Sequence, residues 1–231
     1  MITQLALDLQ LRESYTFENF VAGNNELAIS LLKQMAQSQG EQQVLIWGDA
    51  CSGKSHLLQA VCQLAGKKNS SVAYLPLQEL VDQSPDILDG MENITLVCID
   101  DVHVVEAHPD WQEKIFNLIN RMREAGNKLL FTACLPPNEL SLGLEDLRSR
   151  LNWGPVIQLE YLDDVKKQEA LQLRASLRGF ELPQQVASYM LKNYSRDMVT
   201  LFEKLEHLDQ ASLQQQRRLT VPFVKAIFEK I

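Results

Sequence analysis

Apolar positions recur along this chain with two different periods, and the change from one to the other divides it. Val44-Leu45-Ile46-Trp47 and Ile94-Thr95-Leu96-Val97-Cys98-Ile99 are short, nearly continuous apolar runs. Such runs fit strands buried on both faces, as in a parallel sheet. Val72–Leu77, Lys128–Ala133 and Val156–Leu159 bring the expected strands to five. Between them the spacing turns helical. Leu27, Leu31, Leu32 and Met35 share one face, in a helix that Asn24 or Asn25 can cap. Ser55–Cys62 reads as a second helix, Gln78–Gly90 as a short helix and a turn, and Leu144–Leu151 as a short helix. Trp111–Gly126 is amphipathic, with Trp111, Ile115, Leu118, Ile119 and Met122 on its stripe. Strand and helix alternate up to Tyr161, which predicts a doubly wound α/β layer structure.

Beyond Tyr161 the strand period stops. Asp163 can cap a helix that runs through Arg178 and ends at Gly179, and Pro183 stands at the start of another that runs through Asn193. Asp197–Ala211 and Pro222–Lys230 read as two more, so this part is all-helical. The expected division is residues 1–14, 15–160 and 161–231. In the first part Leu5, Leu7 and Leu9 alternate behind Gln4, which fits an edge strand, a loose terminus or a short extended peptide that docks on another protein. Tyr15–Asn25 is aromatic but broken by Asn and Gly, so it reads as an ordered loop.

The chemistry gathers after the first strand. Gly48-Asp49-Ala50-Cys51-Ser52-Gly53-Lys54-Ser55 fits the phosphate-loop pattern G-x-x-x-x-G-K-S, with a strand before it and a helix opening at Ser55-His56. The glycines let backbone N–H groups turn inward. Lys54 is placed to reach the β- and γ-phosphates, Ser55 to ligate Mg²⁺, and the helix start favours anions. The loop indicates a nucleoside phosphate without indicating hydrolysis. Asp100 and Asp101 end the third strand, where a doubly wound sheet delivers side chains to its ligand edge. Asp100 suits Mg²⁺ held through water, and Asp101 suits orientation of an attacking water. Arg148 and Arg150 share a short helix before the last strand. Spacing alone leaves them between a solvated face and a contact with a neighbouring subunit's nucleotide.

Composition narrows the function. The chain has 231 residues, 45% of them apolar, and a net charge of −8. That supports a full core and argues against tight, independent nucleic-acid binding. Cys51, Cys62, Cys98 and Cys134 form no C-x-x-C pair and read as reduced thiols of a cytoplasmic protein. No signal segment or membrane-spanning run is evident.

Four segments together carry a resemblance: Tyr15-Thr16-Phe17-Glu18-Asn19-Phe20-Val21-Ala22-Gly23-Asn24, the phosphate loop, Ile99-Asp100-Asp101, and Arg148-Ser149-Arg150-Leu151-Asn152-Trp153-Gly154. They resemble the AAA+ part of the bacterial replication initiator DnaA and its relatives. The resemblance implies an α/β AAA+ P-loop NTPase with a five-stranded parallel sheet, followed by an all-α helical lid. The chain stops at Ile231, before the further DNA-binding domain that the initiator carries. Gln4-Leu5-Ala6-Leu7-Asp8-Leu9 is similar to the Q-L-x-L-type peptide that binds the replication sliding clamp. The combination resembles the branch of the family that inactivates DnaA.

That resemblance implies residue roles. Phe20 and Val21 border the adenine. Gly48, Asp49, Ala50, Cys51, Ser52, Gly53, Lys54 and Ser55, with His56, hold the phosphates of ADP or ATP, and Ser55 and Asp100 hold Mg²⁺. Arg150 is an arginine finger that acts on ATP bound to DnaA. Gln4, Leu5, Leu7 and Leu9 enter the groove of the DNA polymerase III clamp, the β subunit, loaded on DNA. Contact with DNA is then indirect, no membrane is involved, and residues 4–9 leave a dimer open. Two departures matter. Cys134-Leu135 stands where relatives often carry Asp-Arg, and Val199 stands where they carry a lid arginine, with Arg196 one turn earlier as the candidate substitute. The expectation is nucleotide binding, with preference for the diphosphate, and poor hydrolysis by the chain alone. The alternative is a DnaA-like loader or adaptor that hydrolyses ATP itself. A small-molecule kinase fits badly, because the four-helix C-terminal part resembles AAA+ assembly machinery.

Overall fold

The computed structural model describes residues 15–228, and the expected clamp residues Gln4, Leu5, Leu7 and Leu9 lie outside that range. Five strands, β1 Gln43–Trp47, β2 Val72–Pro76, β3 Leu96–Asp100, β4 Lys128–Ala133 and β5 Val156–Gln158, form one parallel sheet in the order β2-β3-β4-β1-β5. Their side chains alternate between two covered faces. Leu45, Val97, Ile99, Leu129 and Phe131 join the core built with Ile115, Leu118, Ile119 and Met122 of helix α4, Pro109–Glu124. Val44, Ile46, Leu96, Cys98 and Leu130 are equally buried. Being out of phase, they face the side of helices α1, Glu26–Ala36, and α2, Lys54–Lys67, which pack on each other, with α2 also on β2, β3 and β4. Burial on both faces is why these strands read as continuous apolar runs.

Two short helices complete this unit: α3, Leu77–Leu80, and α5, Glu145–Leu151. The expected helix and turn over 78–90 resolve into α3 and a 3-10 turn, Pro85–Leu88, whose entry Ser84 caps through Asp86 N–H. The loop over 15–25 contains one 3-10 turn, Phe17–Asn19.

The second unit comprises residues 161–228 with Asn19–Asn24. Helices α6, Asp164–Leu177, α7, Gln184–Asn193, α8, Met198–Gln215, and α9, Val221–Phe228, enclose Leu171, Val186, Met190, Leu201, Leu205 and Phe223. The caps expected from sequence are in place. Asp163 accepts from Lys166 N–H, and Asp197 accepts from Val199 and Thr200 N–H. Gly179 follows α6 with φ +84°, a left-handed turn that lacks the cost of a Cβ. Helix α8 is longer than expected and takes in Gln214 and Gln215, with the turn at Gln216.

One expected cap is replaced by a different bond. Asn25 sits at the α1 N-cap, but its side chain makes no cap bond. Its Nδ2 donates to Glu160 O at 3.0 Å and its Oδ1 accepts from Glu160 N at 2.8 Å. A buried primary amide pairs both groups of a peptide better than it caps one N–H. Asn25 therefore fastens the entry to α1 onto the chain just beyond β5. Among the described residues no helix is long and apolar enough to cross a membrane, and the four cysteines form no disulfide.

Candidate functional site

All five strands point the same way, so the phosphate loop and the end of β3 share one sheet edge. The loop is tightly constrained. A Cβ on Gly48 would lie 2.9 Å from Leu159 O, and Gly53 turns with φ +97° into the first residue of α2. Cys51 accepts φ +64° without being glycine. Lys54 is buried, and its Nζ donates to Gly48 O and Asp49 O, both at 2.8 Å. Ser52 Oγ is buried without a hydrogen-bond partner among the described residues. The start of α2 has no side-chain cap over its first N–H groups. A buried ammonium, an orphaned hydroxyl and an uncapped helix start together fit the oxygens of a phosphate chain. Ser55 follows at the second position of α2.

Beside the loop, Asp100 is held from both sides. Tyr74 Oη donates to its Oδ2 at 2.8 Å, and Thr132 Oγ1 donates to its Oδ1. Gln59 Nε2 in turn donates to Tyr74 Oη, and Asp101 N–H donates to Thr132 Oγ1 at 2.7 Å. Two donors fix the carboxylate's plane and leave one lone pair on each oxygen. That suits a metal bound through water. Asp101 sits in the left-handed region, φ +58°. Burial, then the Asp100 charge, push its carboxyl above the usual range, while His103 and Lys54 oppose this. Burial, then Asp100, push the Tyr74 phenol up as well. Burial raises the Cys134 thiol, and both Lys54 and Asp101 act on it electrostatically, so Cys134 belongs to this cluster.

His56, the third residue of α2, also ties down the segment before Phe20. Its ring stacks on Tyr15 at 4.7 Å, and its Nε2 donates to Thr16 O at 2.9 Å, fastening the segment that leads to Phe20. Phe20 and Val21 are half-buried and fall in the second unit with Arg196. Arg196 pairs with Asp164, Nη2 to Oδ2 at 2.6 Å, both well exposed, and Val199, the second residue of α8, is exposed.

Arg150 lies at the opposite edge of the sheet. Its carbonyl accepts from the side chain of Gln43, the first residue of β1, at 2.7 Å. The phosphate loop starts only after Trp47, four residue rises or about 13 Å further along the strand. Arg150 Nε donates to Asn120 Oδ1 at 3.0 Å, and its guanidinium lies 3.8 Å from the Trp153 ring centroid and 5.4 Å from that of Phe116. No other hydrogen bond or ion pair engages the guanidinium among the described residues. Gly154 lets the chain turn back here: a Cβ would stand 1.9 Å from Gln43 O. The other arginine of α5, Arg148, turns inward to Leu142 O at 2.9 Å.

Sequence reading missed Tyr74, Gln59 and Thr132 around Asp100, and Asn120 and Phe116 around Arg150. A lone phenol and a lone hydroxyl inside apolar strands flanking β3 were the available signals.

A phosphate loop on the second-from-edge strand of a β2-β3-β4-β1-β5 sheet, acids ending β3 and a helical lid define a nucleotide-binding AAA+ protein. Residues 11–158 match the bacterial DnaA ATPase domain, and residues 164–228 match the Hda lid domain. The chain therefore belongs to the bacterial DnaA ATPase family, as a DnaA-related AAA+ replication regulator with an Hda-type lid. Its fold is similar to domain III of the Thermotoga maritima replication initiation protein DnaA, at 22% identity over 95% of this chain and 98% of that one, TM-score 0.83. It is also similar to AMPPCP-bound DnaA from Aquifex aeolicus, at 23% identity over 85% of this chain and 65% of that one, TM-score 0.73. The Thermotoga maritima RuvB Holliday junction branch migration motor matches at 16% identity over 95% and 72%, TM-score 0.71.

Proposed function

We propose that this chain is a nucleotide-bound regulator that lends Arg150 to ATP held by DnaA, stimulates its hydrolysis, and so inactivates the initiator while docked on the DNA-loaded sliding clamp through residues 4–9. One observation carries the reading. Arg150 is anchored at the sheet edge opposite its own phosphate loop, with the outer nitrogens of its guanidinium uncommitted, so its charge serves a neighbour's phosphates. An arginine supplied in trans to a developing phosphoryl charge accelerates hydrolysis by ~10³–10⁵.

The chain's own site binds an adenine nucleotide, ADP by preference. Lys54, the loop N–H groups and Ser52 hold the phosphates, and Phe20 and Val21 border the base. Ser55 and Asp100 would hold Mg²⁺, which would neutralise phosphate charge. Cys134 and Val199, where relatives carry polar and cationic groups, leave little to engage a γ-phosphate. Tyr74 and Thr132 orient Asp100 whether or not hydrolysis occurs.

Arg150→Ala should leave nucleotide affinity and clamp binding unchanged and remove stimulated hydrolysis, at least a hundredfold. The assay combines DnaA–ATP, clamp on DNA, ADP and this protein. Stimulation that survives the substitution removes Arg150 from the mechanism.

A further inference from the structure

We propose that Trp153 is a positioning residue that holds Arg123 and Arg150 as a stacked pair, so that the chain offers its neighbour a second guanidinium beside the finger. This rests on the trans role of Arg150 proposed above and extends it. The Arg123 guanidinium lies 4.1 Å from the Trp153 ring centroid and that of Arg150 lies 3.8 Å from it. Two guanidiniums that close to one ring occupy its opposite faces, with the indole between them. Both cations and the indole are carried by elements fixed at the same end of the sheet. Arg123 lies in the last turn of α4, Trp153 backbone N–H donates to Arg150 O at 3.1 Å, and Gln43 Nε2 donates to the same carbonyl.

The charge balance points outward. Arg121, two residues before Arg123 on α4, is paired with Glu92. Neither Arg123 nor Arg150 has an ion pair among the described residues, in a chain with 30 acidic side chains. Two like charges held across one ring repel, and an oxyanion from outside relieves that repulsion. Trp153 is 37% exposed, and a cavity of about 260 Å³ adjoins the stack, walled by Gln43, Ile119, Arg123, Trp153 and Gly154, giving such a group access to Arg123. Glu41, the acid that also lines it, acts on the Lys128 ammonium, which in turn donates to three carbonyls, Gln39, Gly40 and Glu41. The partner group is an oxyanion of the neighbour, a phosphate oxygen or a carboxylate.

The test uses the full chain with DnaA, clamp on DNA and ADP, and reads kcat and KM of stimulated hydrolysis separately. Trp153→Ala should lower kcat about tenfold or more, because the finger loses its stop, while Trp153→Phe, which keeps a ring face, restores most of it. Arg123→Ala should raise KM for DnaA–ATP about five- to tenfold with kcat little changed. Binding to DnaA–ADP then separates the sources. An equal loss assigns the oxyanion to the partner's side chains, and a loss confined to the ATP form assigns it to the nucleotide. Normal kcat in Trp153→Ala and normal KM in Arg123→Ala overturn the proposal. Arg150→Ala in the same assay separates the two readings: if it abolishes stimulation while Trp153→Ala does not, the finger stands and the stack falls. Should Trp153→Ala lose its folded transition, Trp153→Phe and Arg123→Ala decide alone, and wild-type KM in Arg123→Ala is again the overturning result.

Discussion

Asp101 carries two costs at one position. Its backbone is left-handed, φ +58°, and its carboxyl is disfavoured as an anion by burial and by Asp100. A carboxyl raised above its unfolded value stabilises most below that unfolded value, near 4, and loses the contribution as pH rises through the folded one. At neutral pH the ionised group is therefore a net burden on the folded chain. Asp101→Asn removes the charge and keeps a residue type that tolerates this backbone region. It should raise the Tm at pH 7 by a few degrees, on the order of 1 kcal/mol. The gain should shrink as pH falls and the wild-type carboxyl takes up its proton. Thermal melts of both forms from pH 4 to 8 check this, and an unstabilised variant at pH 7 means that His103 and Lys54 compensate the charge. A burden of this kind, kept beside a phosphate loop, is what a functional residue looks like.

Between elements, one buried amide joins the strap after β3 to the arginine helix. Gln112 is 2% exposed. Its Nε2 donates to Val105 O at 2.8 Å and Glu106 O at 3.0 Å, and its Oε1 accepts from Leu144 N at 2.9 Å, the N-cap residue of α5. Glu106 Oε1 adds a second tie, from Ser141 N–H. The segment that starts at Asp101 and the helix that carries Arg150 are thus fixed to each other through α4. Gln112→Leu fills the volume but strands the Glu106 carbonyl and the Leu144 N–H, whereas Val105 O keeps its bond from His108 N–H, so it should cost roughly 2–4 kcal/mol in urea unfolding. Gln112→Glu keeps the acceptor for Leu144 but turns a buried acid toward two carbonyl oxygens, so it should cost at least as much. A cost below about 0.5 kcal/mol for the leucine variant means that the strap and α5 hold themselves. This tie also marks where sequence reading ends. The apolar runs of β1, β3 and β4, the stripe of α4, the caps Asp163 and Asp197, and the phosphate loop were all legible, because each is a local pattern with one physical cause. Gln112, Asn25, Tyr74 and Thr132 were not. Each is a single polar residue whose partner lies far along the chain, and only the topology brings the two together. Arg150 was legible as a cation on a short helix; its placement at the far edge from Lys54 follows from the register of β5 on β1.

At the scale of the molecule, the chain leaves the α/β unit before Asn19, returns at Asn25, and leaves again after Glu160. Asn25 and Glu160 border two of these crossings and are the residues hydrogen-bonded to each other. Phe20 and Val21 belong to the lid unit, whereas Gly48–Ser55 belong to the other. A nucleotide that contacts both groups ties the unfolding of one unit to that of the other, since a ligand stabilises whatever must be folded to bind it. Calorimetry should then resolve two transitions without nucleotide. ADP at about 100 times its Kd should raise both by an amount equivalent to about 2.7 kcal/mol and bring them together. Lys54→Ala should abolish the shift in both, because it removes the ammonium proposed to meet the phosphates. Phe20→Ala should weaken coupling of the lid transition while the α/β transition still responds. If ADP moves the α/β transition alone in the wild-type chain, the loop at residues 19–24 does not border the base, and the nucleotide belongs to the phosphate-loop unit by itself.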